Sequence, residues 1–392
     1  MDTYNIYKDI NARTQGEIYI GVVGPVRSGK STFIKHFAEK LILPFMSDGA
    51  GKERAKDELP QSAAGRTVMT TEPKFIPREA CVITPAQDIS MKIRLIDCVG
   101  FMIDGATGVV EDGKERLVKT PWYDYEIPFS EAAEFGTRKV IKDHSTVGIV
   151  MTTDGSIGEL PRDSYKAAEA ATIEELKKIG KPFVVVVNSK NPAAKSATEC
   201  VDEIKKAYGA EAVSLDCEQL TLDDVNRTLE LLLNSFPING IEFYFDRWIE
   251  TLPDDNEIKQ AMVECAGQIL DRITYIKDFN KDSIKVENKY IEDVRSEPVD
   301  MADGIIRLSF KVDENLYYDM LSSIAGEKID NEYELINLIK EYAKEKSALS
   351  RYTSAIDTVR QKGYGVVSPS RDEISISEPE VIKNGGRYGV KI

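Results

Sequence analysis

Apolar residues in the first 236 positions fall into short buried-type runs separated by amphipathic stretches. EIYIGVV, Glu17 to Val23, is the first such run and predicts a strand. It passes through GPVRSGKST into FIKHFAEKLILP, a helical pattern closed by Pro44. Ser47 to Thr71 is polar and rich in Gly and Ala, which predicts a mobile loop. A strand pair is predicted around Cys81 to Thr84 and from Met91 to Asp97. Phe101 to Pro128, with Gly105, Gly108 and Gly113, is irregular, and loops that long in compact domains are usually functional or disordered. Helices are then predicted at Ser130–Lys142, Arg162–Ile179, Lys195–Tyr208 and Leu222–Asn234. Strands are predicted between them at Thr146–Thr152, Phe183–Asn188 and Ala212–Leu215. Strand and helix alternate to about Phe236, the pattern of an α/β fold with a doubly wound, mostly parallel sheet.

The rhythm changes after Pro237. Ile241–Leu252 and Glu257–Tyr275 read as helices, and Lys285–Arg295 and Gly304–Val312 alternate like strands with one wet face. Leu316–Ala325 and Asn331–Tyr352 read as helices, and strand-like pieces flank Asn384-Gly385-Gly386. The expected organisation is a P-loop NTPase domain over 1–238 and a smaller α+β domain over 239–392.

A chain of 392 residues with 42% hydrophobic positions can bury a sizeable core, and its length suggests two or three domains. A formal net charge of −15 disfavours nucleic acid and anionic membrane as direct partners. No apolar run approaches the roughly 18 residues of a membrane span, so any membrane role is expected to be indirect. Cys81, Cys98, Cys200, Cys217 and Cys265 form no CxxC pair and fit reduced thiols.

Gly24-Pro25-Val26-Arg27-Ser28-Gly29-Lys30-Ser31 matches GxxxxGK[ST] in full, and Thr32 follows it. Glycines let such a loop curl until several N–H groups share one concavity, and the next helix adds its positive end. Lys30 is expected to reach the β- and γ-phosphates and Ser31 to ligate Mg²⁺. Asp97 ends the run RLID within Asp97-Cys98-Val99-Gly100. Such a DxxG turn supplies the acid for the Mg²⁺ shell, and the Gly100 N–H can meet the γ-phosphate. Thr70 and Thr71 lie between the two motifs, and either can complete the metal shell and sense the γ-phosphate.

Guanine is read by Asn-Lys-x-Asp after an apolar strand. Here Asn188-Ser189-Lys190-Asn191 stands there, with an amide in place of the carboxylate and the lysine moved by one position. Guanine selectivity is therefore expected to be weak and ATP favoured, with Asn188 and Lys190 near the base. Phe101 stands where a water-positioning glutamine follows DxxG, which predicts slow turnover. Arg27, Arg66 or an arginine from a neighbouring subunit are candidates to assist. Trp122-Tyr123-Asp124-Tyr125 is expected either to pack on its own domain or to make a subunit contact.

These blocks resemble the stage IV sporulation protein A family of endospore-forming Firmicutes. The resemblance rests on YNIYKDI from Tyr4, GPVRSGKSTFIKHF, RTVMTTEPKFIP from Arg66, RLIDCVG from Arg94 and VVVVNSKNP from Val184, and extends over essentially the whole chain. It implies a GTPase-like fold shifted to ATP, with Lys30 on phosphate, Thr70 and Thr71 as sensors, and Asp97 as the Mg²⁺-linked acid. It implies ATP hydrolysis coupled to self-assembly into a polymer at the base of the spore coat, on the mother-cell side of the outer forespore membrane. Implied partners are other copies of the chain, a small amphipathic peptide that marks the curved membrane, and coat morphogenetic proteins. The family's further C-terminal, membrane-docking domain is expected to be absent. Two readings from the residues stay open beside it: a GTPase-type switch, and a scaffold that binds nucleotide without hydrolysing it.

Overall fold

The computed structural model describes residues 6–46, 48–60, 72–86, 89–103, 110–111, 114–158, 160–369 and 373–391. Thr70, Thr71 and Arg66 lie outside the described residues.

The chain opens with α1 (Ile6–Arg13), β1 (Glu17–Val23) and α2 (Lys30–Phe37), followed by a π-helical turn and a short α3 (Leu43–Phe45). Where a loop was expected, Gly49–Asp57 forms α4. Asp48 caps it, accepting from Ala50 N at 3.1 Å and Gly51 N at 2.9 Å. A carboxylate that satisfies two orphan amides outweighs the poor helix propensity of the glycines.

Next come β2 (Lys74–Ala86) and β3 (Ile89–Asp97), then the two-residue strands β4 (Val110–Glu111) and β5 (Lys114–Glu115). The stretch read as irregular also holds a hairpin, β6 (Leu117–Thr120) with β7 (Tyr123–Pro128), ahead of α5 (Phe129–Lys139). Its aromatic cluster packs on its own domain: the Trp122 and Tyr123 rings lie 5.1 and 5.4 Å from Phe135.

The rest of the fold follows the predicted alternation: β8 (Val147–Thr153), α6 (Asp163–Ile179), β9 (Phe183–Asn188), α7 (Lys195–Tyr208), β10 (Ala212–Leu215) and α8 (Leu222–Asn234). The main sheet has the order β10-β9-β8-β1-β3-β2. It is parallel except for β2, which runs antiparallel to β3. Every residue of β8 and β9 is buried, as expected for central strands covered by helices on both faces. The strand order turns back at β1, between β3 and β8. Register aligns Val22 with Asp97, Val23 with Val150, and Thr153 with Asn188, so these strand ends share one edge. A crevice outside the carboxyl ends at such a switch point is where open α/β sheets bind ligands.

Beyond it lie β11 (Gly240–Tyr244), α9 (Arg247–Glu250), α10 (Glu257–Arg272), β12 (Ile291–Ser296) and β13 (Ile305–Val312). The helix expected from Ile241 to Leu252 is thus split: its first four residues belong to β11, and only Arg247–Glu250 is helical. β11 pairs in parallel with β13, Ile241 opposite Ile306 and Phe243 opposite Leu308. The Phe245 ring stacks on Phe310 at 5.0 Å. The run satisfies either period in isolation, and the partner strand selects extension.

By compactness the chain divides into Met1–Lys311 and Val312–Ile392. The second unit holds α11 (Glu314–Ala325), the 31-residue α12 (Glu332–Lys362) and the hairpin β14 (Glu380–Asn384) with β15 (Arg387–Lys391). Among the described residues no helix is long and apolar enough to cross a membrane.

Candidate nucleotide-binding site

The phosphate-loop motif joins β1 to α2, and two of its glycines are required by close approach. A Cβ on Gly24, at φ 128°, would lie 2.2 Å from the Met151 carbonyl oxygen; one on Gly29, at φ 91°, would lie 2.1 Å from Asn188 Nδ2. Only glycine combines such a φ with such clearance. Arg27 takes a left-handed φ of 62° without being glycine. Pro25, Val26 and Ser28 are buried, Thr32 is half-buried and Ser31 is accessible. Ser28 Oγ donates to Pro25 O at 2.9 Å.

Lys30 is buried, and its Nζ donates to Pro25 O at 2.6 Å and Gly24 O at 3.3 Å. Burial pulls its pKa down, opposed by Cys98 and Asp97. The cation thus rests on carbonyl oxygens of the loop, where phosphate oxygens would be better partners.

Asp97 ends β3 beside this lysine. Ser31 Oγ donates to Asp97 Oδ2 at 2.8 Å, and Asp97 Oδ1 is buried with no hydrogen-bond partner. Burial pushes the Asp97 pKa up, against the Ser31 hydrogen bond and then Lys30 and Lys74. An orphaned buried carboxylate oxygen calls for a partner. A hydroxyl and a carboxylate, both hard oxygen donors, fit Mg²⁺, which is ordinarily held by one or two protein ligands with waters and phosphate oxygens. Ser31 and Asp97 would hold it, and the ion would neutralise charge on the β- and γ-phosphates. A cleft beside this pair is lined also by Lys74, Arg78, Pro60 and Pro73.

Gly100 closes the other side. At φ 96°, a Cβ there would lie 2.0 Å from Gly24 O and 2.6 Å from Lys30 Nζ. Phe101 is buried. Its amide donates to Gly24 O at 3.2 Å, its carbonyl accepts from Val26 N at 2.9 Å, and its ring packs with Ile103 and Tyr165. It stitches the DxxG turn to the phosphate loop.

At the base end, the Asn188 amide is committed to two backbone groups. Its Nδ2 donates to Ser28 O at 3.2 Å, and its Oδ1 accepts from Cys217 N at 3.2 Å. It ties the phosphate loop to the turns after β9 and β10, while Lys190 and Asn191 are exposed. The structure therefore brings Gly24–Thr32, Asp97, Gly100 and Asn188 together.

Two features escaped the sequence reading. Asp154, just after β8, gathers serines from three stretches of chain; its signal was the polar TTDGS that ends an apolar strand. Arg162 also forms a part-buried ion pair with Glu169, at 2.5 and 2.9 Å, about two turns along the same helical stretch.

The chain is similar to known proteins over its whole length. Residues 1–237 match the family model "Stage IV sporulation protein A, ATPase domain", and residues 238–392 match its middle domain. The chain is 40% identical to stage IV sporulation protein A of Clostridioides difficile (strain 630) over 390 residues, 99% of this chain and 79% of that one. It is 38% identical to the proteins of that name from Bacillus subtilis (strain 168) and Bacillus anthracis, each over 393 residues, 100% of this chain and 80% of theirs.

Proposed function

The chain belongs to the stage IV sporulation protein A family, and from that premise we propose that it is a Mg²⁺-dependent ATP hydrolase of sporulation whose turnover drives its own assembly. The polymer is a scaffold at the base of the spore coat, on the mother-cell side of the outer forespore membrane. It meets the membrane through a small amphipathic membrane-marking peptide and is built upon by coat morphogenetic proteins.

The observation that carries the catalytic part is the pairing of two unfinished interactions in one crevice. Lys30 rests on the carbonyls of its own loop, and Asp97 keeps one buried oxygen unpartnered opposite it. A nucleotide triphosphate with Mg²⁺ completes both. The base is adenine: the site has Asn191 where guanine recognition needs a carboxylate, and the Asn188 amide that opens the same motif is already used within the protein. Turnover is slow because Phe101 is buried in apolar contacts and orients no water.

The test is sedimentation of the wild-type chain and of Lys30→Ala with ATP, GTP or no nucleotide, with phosphate release recorded alongside. The expected result is ATP-dependent pelleting and phosphate release in the wild type and neither in Lys30→Ala. Equal use of GTP would instead favour a guanine switch. Nucleotide binding and pelleting without phosphate release would favour a non-hydrolysing scaffold.

A further inference from the structure

Asp154 stands where the register of β8 and β9 brings two strand ends side by side. Thr153 pairs with Asn188, so the next residues, Asp154 and Ser189, leave the sheet together. The Asp154 carboxylate collects four donors. Oδ1 accepts from Ser156 N at 2.9 Å and Ser156 Oγ at 2.5 Å. Oδ2 accepts from Ser189 Oγ at 2.8 Å and from Ser196 Oγ, in the first turn of α7, at 3.1 Å.

The serines do not stop at the carboxylate. Ser156 Oγ accepts from Lys190 N at 3.0 Å, and Ser189 Oγ accepts from Asn191 N at 3.2 Å. A serine hydroxyl has one hydrogen to donate and two lone pairs to accept with. An ionised carboxylate only accepts, so both hydroxyls spend their hydrogens on Asp154. Their lone pairs then face the two amides that follow Ser189. One charge thereby sets the polarity of the whole segment 189–191. The segment directly follows Asn188, whose amide donates to Ser28 O of the phosphate loop.

We propose that Asp154 is a positioning residue for the nucleotide base: through Ser156 and Ser189 it holds the backbone of 189–191 in the shape that receives the base, and so sets affinity and selectivity. The inference deepens the ATPase reading and rests on it. Lys190 and Asn191 are exposed side chains on that segment, so the backbone beneath them decides where they point. A loop already ordered without ligand loses less entropy on binding, which appears in KM and Kd rather than in the chemical step. Burial alone would raise the Asp154 pKa, and the hydrogen bonds from Ser156, Ser189 and Ser196 more than offset it, keeping the carboxylate ionised.

The experiment compares wild type, Asp154→Ala, Asp154→Asn and Ser156→Ala as full chains. Kd for ATP and for GTP is measured by titration calorimetry, and KM and kcat by phosphate release. Asp154→Ala is expected to raise Kd and KM for ATP about tenfold, the loss of a charged hydrogen-bond anchor, with kcat within about twofold. The ATP-to-GTP preference should fall with it. Asp154→Asn, which keeps one acceptor oxygen, should recover part of the loss. Ser156→Ala removes an exposed hydroxyl and keeps the fold testable even where Asp154→Ala does not fold; it should raise KM in the same direction. Unchanged Kd and nucleotide preference in Ser156→Ala and Asp154→Asn overturn the proposal, as does a fall in kcat alone. A wild type that binds ATP without hydrolysing it defeats the enzyme reading, and Kd then decides the role of Asp154. A wild type that binds no nucleotide defeats both.

Discussion

Ser31 Oγ lies 2.8 Å from Asp97 Oδ2 and donates to it, although Asp97 stands 66 residues further along the chain. The bond occupies one carboxylate oxygen and leaves the other buried and unpaired. A buried carboxylate oxygen is thus left for a cation or a hydrogen-bond donor to satisfy, at a cost that can be tested.

Asp97→Asn is expected to stabilise the nucleotide-free protein while abolishing Mg²⁺-dependent hydrolysis. Replacing a poorly paired buried charge with a neutral amide should gain about 1–3 kcal/mol. The sign follows from the raised folded-state pKa of Asp97. Its protonated form is favoured by folding, so its contribution is most favourable below the ordinary carboxylate value of 3.8 and is lost as pH rises through the raised value. The advantage of the variant is therefore full at neutral pH and fades in acid. Thermal melts of both proteins from about pH 8 down to about pH 4, near the reference Asp value, check it, and an advantage that grows in acid would refute the assignment.

Gly29→Ala should remove nucleotide binding while leaving the fold. The new methyl would meet Asn188 Nδ2 at 2.1 Å at a φ of 91°, forcing the amide off Ser28 O. A left-handed alanine costs about 1–2 kcal/mol, and the displaced loop should weaken ATP at least about tenfold. Calorimetric titration with ATP reads this directly.

Arg27→Gly should raise stability by about 1 kcal/mol, because a residue at φ 62° pays the left-handed penalty that glycine avoids. The check is a denaturant midpoint that moves up at constant slope. No change in midpoint would mean that interactions of the arginine side chain already offset the backbone strain.

Glu169→Ala should cost about 1–3 kcal/mol, since it leaves the part-buried Arg162 guanidinium without its carboxylate. Arg162 Nη1 would keep only Thr152 Oγ1 at 2.9 Å and Thr153 O at 3.4 Å. The double variant Arg162→Met, Glu169→Leu should regain most of the loss, measured by urea denaturation.

Much of the fold could be read along the chain because the deciding patterns are local. The continuous apolar runs of β8 and β9 announce strands buried on both faces, and the glycines, lysine and serine of the phosphate loop are contiguous. α4 was missed because its cap, Asp48, outweighs glycines that read as loop. β11 was missed because its five residues fit a helix until β13, more than sixty residues later, offers a ladder.

By itself, the sequence determined the alternating α/β layer, the loop that curls around phosphate and the acid that ends β3, since each depends on residues within one turn or strand of each other. Only the tertiary structure decided how these groups are spent. Asn188 reaches Ser28 across 160 residues, and Ser189 reaches Asp154 across 35. Whether a polar side chain faces a ligand or is consumed by the protein depends on partners brought close by sheet order and register, and spacing along the chain does not encode that distance.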